Sequence, residues 1–308
     1  LKNILFTGGG GAGNEAIFRI LSDDYEMHFA DADLSAISPL IPEEFRHEIP
    51  YAVSSGFIDN INTLCSKYKI DLVIPGVDEE LTKINKLNTP SMLPDTNYVK
   101  TMLDKLKSAH AITKAGLDSP RTITISDFLN GEEIIFPCIA KPRNGRGSRN
   151  VNILNTPDQV SAYLILTGIL ADEAVLQELC IGQEYTVLMS SDSRASLRAV
   201  VPVRVAVKKG ITLRAETEDN SAIINACVAI HDALPAKGCY NIQLILTDDG
   251  RVMPFEINPR ISTTFCLGLA AGINPIDNYL SDNTTTNKLQ NYHSSLALFR
   301  SWSNYFKY

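Results

Sequence analysis

Short apolar runs alternate with helically spaced ones along the first third of the chain. NILFT (3–7), YEMHFAD (25–31) and IDLVIPG (70–76) are brief, rich in β-branched and aromatic residues, and read as strands. NEAIFRIL (14–21) and DEELTKINKL (78–87) space their apolar residues three and four apart and read as helices. Strand and helix in alternation predict a parallel sheet covered by helices. Pro90 and Pro94 then interrupt the pattern, which places a domain boundary near residue 95.

Beyond it the periodicity predicts one helix over VKTMLDKLKSAHAITKAG (99–116), stopping at Gly116. A strand-rich region follows. SPRTITI, FPCIAK, EAVLQEL, EYTVLMS and the long SLRAVVPVRVAV read as strands, and DNSAIINACVAIHDAL as a helix. YNIQLILTDDGRVMPFEINPR reads as two strands joined by an Asp-Asp-Gly hairpin turn. The polar stretch 281–293 is expected to be loop, ahead of a last apolar segment, LALFRSW.

Composition narrows the function classes. The 308 residues are 44% hydrophobic and 20% charged, enough for two or three domains with cores of their own. A net charge of −7 offers no general attraction for phosphate backbones or anionic lipid, so neither nucleic acid nor membrane is expected as a partner. The six cysteines stand singly, several in apolar runs, as buried thiols of a reduced compartment do. The five histidines show no ligand spacing. LKNILF is too short for a signal peptide and no run reaches the ~18 apolar residues of a membrane helix, so a cytoplasmic location is expected.

Three sites of candidate chemistry stand out. Gly8, Gly10 and Gly13 in TGGGGAGNE satisfy G-x-G-x-x-G, with Asp31 about where a ribose-binding acid would sit, the pattern of a dinucleotide loop. Lys141, at a strand end, is followed by PRNGRGS, whose glycines let backbone N–H groups approach an anion; the alternative is a basic surface turn. Gln243, Glu256 and Asn258 fall on the two arms of the hairpin, Glu256 and Asn258 two apart and hence on one face. Such an oxygen-bearing trio suits magnesium that also holds nucleotide phosphates, and Arg260 could steady a transferring phosphoryl group.

The order LDKLK, FPCIAKPRNGRGSRNV, VLQELCIGQEYTV, NIQLI and GRVMPFEINPR resembles the ATP-grasp superfamily over essentially the whole chain. Its ending is similar to one ATP-binding half of the carbamoyl phosphate synthase large subunit, and ALFRSW resembles the closing strand of small carboxylate-amine ligases. The resemblance implies an α/β fold: a Rossmann-like parallel-sheet domain at 1–95, then a two-part ATP-grasp domain at 96–308, with a lid over 120–185 and a C-terminal subdomain over 186–308. It implies that Lys105 and Lys141 contact the phosphates of ATP under a loop containing Gly145, Arg146, Gly147 and Ser148. Gln177, Glu178, Leu179 and Cys180 would line the adenine hinge, Glu184 would bind the ribose, and Gln243, Glu256 and Asn258 would hold Mg2+, or Mn2+ in its place. Arg260 would steady the phosphoryl group, and Arg204 would meet the acyl phosphate. Many relatives carry an aspartate where Leu188 follows Val187, so substrate contacts from that strand are in question.

The reaction so implied is ATP-dependent ligation: a small-molecule carboxylate is activated as an acyl phosphate and an amine, or less often a thiol, displaces phosphate. Members are often homodimers. The 308 residues hold one ATP-grasp unit, whereas complete carbamoyl phosphate synthesis takes two such units and an ammonia source, so that activity is not expected. Two other classes compete: a nicotinamide-dependent oxidoreductase, which leaves the second half of the chain unexplained, and a non-catalytic nucleotide-binding protein, against which the Lys141, Glu256, Asn258 and Arg260 set argues. In the ligase reading the loop at Gly10 and Gly11 holds a carboxylate or phosphate of the substrate on its N–H groups. Asp78, Glu79 and Glu80, and likewise Glu15, either meet a substrate ammonium or favour the positive end of a helix.

Overall fold

The computed structural model describes residues 1–281 and 288–306. The first strands and helices fall where the apolar pattern puts them: β1 (Lys2–Thr7), α1 (Asn14–Leu21), β2 (Tyr25–Asp31), β3 (Arg46–Glu48), α2 (Phe57–Lys67), β4 (Leu72–Ile74) and α3 (Asp78–Ile84). The four strands form a parallel sheet in the order β3-β2-β1-β4. The glycine loop and the start of α3 therefore both sit at the carboxyl end of this sheet, where open α/β sheets bind ligands.

The single helix expected over 99–116 is two: α4 (Thr96–Leu103) and α5 (Lys105–Lys114). Asp104 breaks it. Its backbone is extended (φ −94°, ψ 109°) and its carboxylate accepts from the amides of Leu106 and Lys107, an N-cap that outweighs the continuous periodicity. The same carboxylate pairs with Arg143 at 2.6 Å, and the Lys105 amide donates to the Arg143 carbonyl at 2.9 Å. Lys105 is thereby fixed at the mouth of the strand that carries Lys141.

A small antiparallel sheet follows, built from β5 (Thr122–Thr124), β6 (Cys138–Pro142), β7 (Asn152–Leu154) and β8 (Ala174–Glu178) in the order β5-β8-β6-β7, with α6 (Ile125–Leu129) and α7 (Gln159–Thr167) packed on it. It has its own core around Ile123, Cys138, Tyr163 and Leu176. The remaining elements are β9 (Gly182–Ser191), β10 (Leu197–Lys209), β11 (Ile211–Thr217), α8 (Ser221–Ala233), β12 (Gly238–Thr247), β13 (Val252–Asn258), α9 (Phe265–Ala270), α10 (Pro275–Leu280) and β14 (Ala297–Phe299). Their sheet is antiparallel, in the order β13-β12-β9-β10-β11-β14. It begins at Gly182, inside the range expected for the lid. Strand β11 was not expected: ITLRAET reads as polar, because one of its faces carries Arg214 and Glu216.

One apolar core joins the parallel sheet to the large antiparallel one, with Phe6 and Phe29 on the first, Val201 on the second and Phe265 of α9 between. The small sheet shares none of it. Residues 282–287 of the expected loop at 281–293 lie outside the described residues. Among the described residues no helix is long and apolar enough to cross a membrane, and the six cysteines are free thiols.

Candidate functional site

Two cavities, of 680 and 560 Å³, open between the small sheet, the large sheet and the N-terminal domain. Both are lined by Glu79, Arg146, Gly147, Lys208, Gln243 and Glu256, so they form one cleft with two halves.

The first half holds the lysines. Lys141 is buried on β6 and donates to Gln177 Oε1 at 2.7 Å, while Gln177 Nε2 donates to Thr122 at 2.9 Å. Gln177 thus lines the cavity as expected of a hinge residue, but its side chain brackets Lys141. Burial lowers the Lys141 ammonium to about 8, Glu256 opposes the shift, and the charges of Lys105 and Lys208 add to it. Three cations therefore converge on one space, as an anion site requires. The Phe255 ring, 5.4 Å from Lys141 Nζ, forms part of the wall. The loop over the lysines turns through left-handed backbone at Gly145 (φ 124°) and Gly147 (φ 71°), conformations that glycine adopts without a Cβ clash. Lys105 Nζ donates to the Gly145 carbonyl at 2.9 Å, which draws the loop inward. Ser148, Glu178, Leu179, Cys180 and Glu184 complete the lining.

At the junction of the halves lie the hairpin polar groups. Gln243 pairs with Glu256 across β12 and β13, and Asn241 with Asn258, so all four share one face. An irregularity beside Gln243 leaves Phe255 unpaired and turns it toward Lys141. The Glu256 carboxylate makes no hydrogen bond or ion pair among the described residues, and Asn258 Nδ2 donates to Asn241 Oδ1 at 3.3 Å, which leaves the Asn258 oxygen unengaged. One free carboxylate, the Asn258 oxygen and Gln243 Oε1, the last also reached by Lys208 Nζ at 3.1 Å, fit a hard cation whose other ligands are phosphate oxygens. Asn241, buried and on the same face, is a site residue the sequence reading did not find, although its spacing of two from Gln243 carried the signal.

The strand β10 departs most from expectation. Arg204 pairs in register with Tyr185, whose ring packs under α8, and its guanidinium meets Glu216 at 3.0 Å and Glu218 at 3.5 Å. It does not line the cleft. Lys208 does, at 2.5 Å from Glu184 and 3.1 Å from Gln243 Oε1. Regular alternation would put residues 204 and 208 on the same face, but register shifts between Val205 and Lys208 turn the lysine inward. Gln183 Nε2 holds the irregular segment by donating to the Val205 carbonyl at 2.8 Å. Leu188 is fully buried against Gly268 of α9 and lines neither cavity.

Two of the three acids at the start of α3 hold arginines. Asp78 accepts from Arg260 Nε in a part-buried ion pair, and Glu79 accepts from Arg146 of the glycine-rich loop at 3.1 and 3.2 Å. Glu80 is buried and accepts from Thr7 at 2.6 Å and from the amides of Gly76 and Val77 at 3.0 Å. Burial raises its carboxyl to about 7, against these hydrogen bonds and with the charge of Asp31 adding. Glu15 lies outside the cleft, 3.8 Å from Arg19 on the same helix.

The opening glycine loop is closed on itself. The amide of Gly9 donates to Ala30 at 2.8 Å, that of Gly10 to the Asp31 carboxylate at 2.8 Å, and that of Gly11 to Gly8 at 2.9 Å. A Cβ on Gly13 would collide with the Thr263 carbonyl, so the start of α1 is covered by the chain itself where a dinucleotide pyrophosphate would have to lie. Gly10 and Gly11 do line the 560 Å³ cavity, but their amides donate to Asp31 and Gly8 and are not turned toward an anion.

Residues 171–299 match the family model described as ATP-grasp in the biosynthetic pathway with Ter operon. The chain is 21% identical over 241 residues to a carbamoyl-phosphate synthase of Methanobrevibacter smithii, a match covering 71% of the chain and 65% of that protein's length. Among solved structures it is similar to an ADP complex of N5-carboxyaminoimidazole ribonucleotide synthetase (TM-score 0.72, 16% identity, 96% of this chain and 79% of that one). The L-amino acid ligase of Bacillus licheniformis gives a TM-score of 0.67 at 17% identity over 90% of this chain and 72% of that one. The biotin carboxylase of Campylobacter jejuni gives 0.65 at 15% over 90% and 69%. The fold is therefore ATP-grasp, an α/β architecture with a parallel-sheet N-terminal domain.

Proposed function

We propose that this chain, which carries an ATP-grasp domain, is a magnesium-dependent, ADP-forming ligase that activates a small-molecule carboxylate as an acyl phosphate and joins it to an amine. The observation that carries the reading is the cleft itself: a lysine-lined half and a substrate-sized half meet at Gln243, Glu256 and Lys208. That junction is where a terminal phosphate and a carboxylate would face each other. The names of the similar structures, an amino acid ligase and a biotin carboxylase among them, support the same class.

In this reading adenine lies against Glu178 to Cys180 and the ribose near Glu184. Lys105 and Lys141 hold the phosphates under the Gly145–Ser148 loop. Gln243, Glu256 and Asn258 would hold Mg2+, which would supply charge neutralisation for the phosphates. The substrate carboxylate oxygen attacks the terminal phosphorus; the bond to the bridging oxygen breaks and ADP departs. Lys208 and Arg260 balance the charge spread over the transferring group, with no covalent role for the protein. The amine then adds to the acyl carbon, phosphate leaves, and the amine proton passes to solvent.

The test is a panel of carboxylates and primary amines scored for phosphate release with MgATP. Release that requires both a carboxylate and an amine supports the reading; ATP turnover indifferent to either refutes it.

A further inference from the structure

The half of the cleft beside the glycine loop differs in charge from the rest, and its chemistry deepens the ligase reading, on which it rests. We propose that this half takes the acceptor as a primary ammonium on an apolar body, bound by Asp31, and discriminates against phosphorylated acceptors.

The cations that line the 560 Å³ cavity are Arg146, Lys208 and Arg260. Arg146 and Lys208 also face the nucleotide half, and Arg260 is paired with Asp78. The N-terminal domain contributes no lysine or arginine to the lining among the described residues. Its titratable groups there are carboxyls, Asp31 and the buried Glu80 at the glycine loop and Glu79 at the rim.

The backbone offers an anion little. Gly9, Gly10 and Gly11, the amides that would cradle a phosphate, each donate within the chain. A phosphate placed there would displace the Gly10 hydrogen bond and face the Asp31 carboxylate, which repels it.

Asp31 is built to receive a donor. One oxygen accepts from Gly10 at 2.8 Å and the other from Asp33 at 3.1 Å, so the carboxylate is oriented while each oxygen keeps a lone pair free. Its charge reaches Glu80, where it adds to the effect of burial. An ammonium beside the two acids relieves that repulsion. The lining also carries an apolar set: Ala36, Ile49, Pro50, Val53 and Phe57. Val53 stands 82% exposed at the rim, ready to be covered by an apolar ligand, on a loop that Lys83 fastens by donating to the Ala52 carbonyl.

The experiment is calorimetric titration of the intact protein, saturated with magnesium and a non-hydrolysable ATP analogue so that the basic rim is filled. The probes are tyramine, O-phosphotyramine and para-ethylphenol, which share one ring and differ in charge. Tyramine is expected to bind about tenfold or more tighter than either of the others, a charge-assisted hydrogen bond being the difference. In Asp31→Asn that preference should vanish with the analogue's affinity unchanged, which also reports that the variant is folded. Equal or tighter binding of O-phosphotyramine, or para-ethylphenol equal to tyramine, overturns the proposal. A protein that does not bind the analogue contradicts the ligase reading instead, and the three probes titrated without nucleotide still decide this one.

Discussion

Arg260, just past the strand that carries Glu256 and Asn258, is held through its Nε by the carboxylate of Asp78 at the start of α3. The pair joins the large antiparallel sheet to the N-terminal domain across the cleft, both side chains being mostly buried. A second contact, from Arg260 to the Ile261 carbonyl at 3.1 Å, fixes another edge of the guanidinium and leaves the rest to face the cleft. Asp78 accordingly acts as a positioning residue. In Asp78→Asn, kcat/KM for the carboxylate should fall about ten- to a hundredfold, the range of one charge-assisted hydrogen bond, with nucleotide Kd nearly unchanged. A parallel loss of nucleotide affinity would assign Asp78 a general structural role.

Lys141 sets a pH dependence. Burial holds its ammonium at about 8, so it loses its proton as pH rises through that value and its attraction for phosphate goes with it. Nucleotide affinity should weaken above pH about 8 by up to about tenfold per unit, and Lys141→Met should bind weakly with no such dependence. The nucleotide-free protein should move oppositely. Between about 8 and the ordinary lysine value near 10.4 the unfolded chain binds the extra proton, so unfolding free energy rises with pH. Titrations across that range check both signs.

Lys208 and Arg204 lie on one strand with opposite surroundings, the first at Glu184 and Gln243, the second at Glu216 and Glu218. Lys208→Met should lower kcat about a hundredfold, as loss of a charge facing the transferred group does, and Arg204→Met should leave kcat within about twofold. Steady-state kinetics on both variants separates them. Comparable losses would mean that the strand irregularity does not sort the two side chains as the structure shows.

Glu80 gives the opposite stability slope to Lys141. Its carboxyl is raised to about 7 by burial, so between the ordinary carboxylate range and 7 the folded state keeps a proton that the unfolded chain has lost. Its contribution is complete below that range and disappears as pH rises through about 7. Glu80→Gln keeps an oxygen for Thr7 and the amides of Gly76 and Val77 without the charge. It should gain on the wild type with rising pH, by about 1–3 kcal/mol at pH about 8, measured by denaturant unfolding.

Much of this architecture was legible in the sequence because strands and helices here follow their local apolar periods. Lys141, its glycine loop and the hairpin set were legible too, since period-two spacing fixes which side chains share a face. What failed did so where a tertiary contact overrode the local pattern. Asp104 splits a continuous helical period because Arg143 and two amides hold its carboxylate. The β10 irregularity, held by Gln183, turns Lys208 into the cleft and leaves Arg204 out of it. The acids Asp78 and Glu79 had two readings as a sequence, and their arginine partners, distant along the chain, supply a third.

In the proposed reaction a carboxylate takes the terminal phosphoryl group of ATP in this cleft. The most direct measurement uses a carboxylate labelled in both oxygens with heavy oxygen, together with an amine and MgATP, and reads the phosphate released by mass spectrometry. ADP and a phosphate carrying one labelled oxygen per turnover are expected. Unlabelled phosphate, or AMP with pyrophosphate, would contradict the proposed reaction.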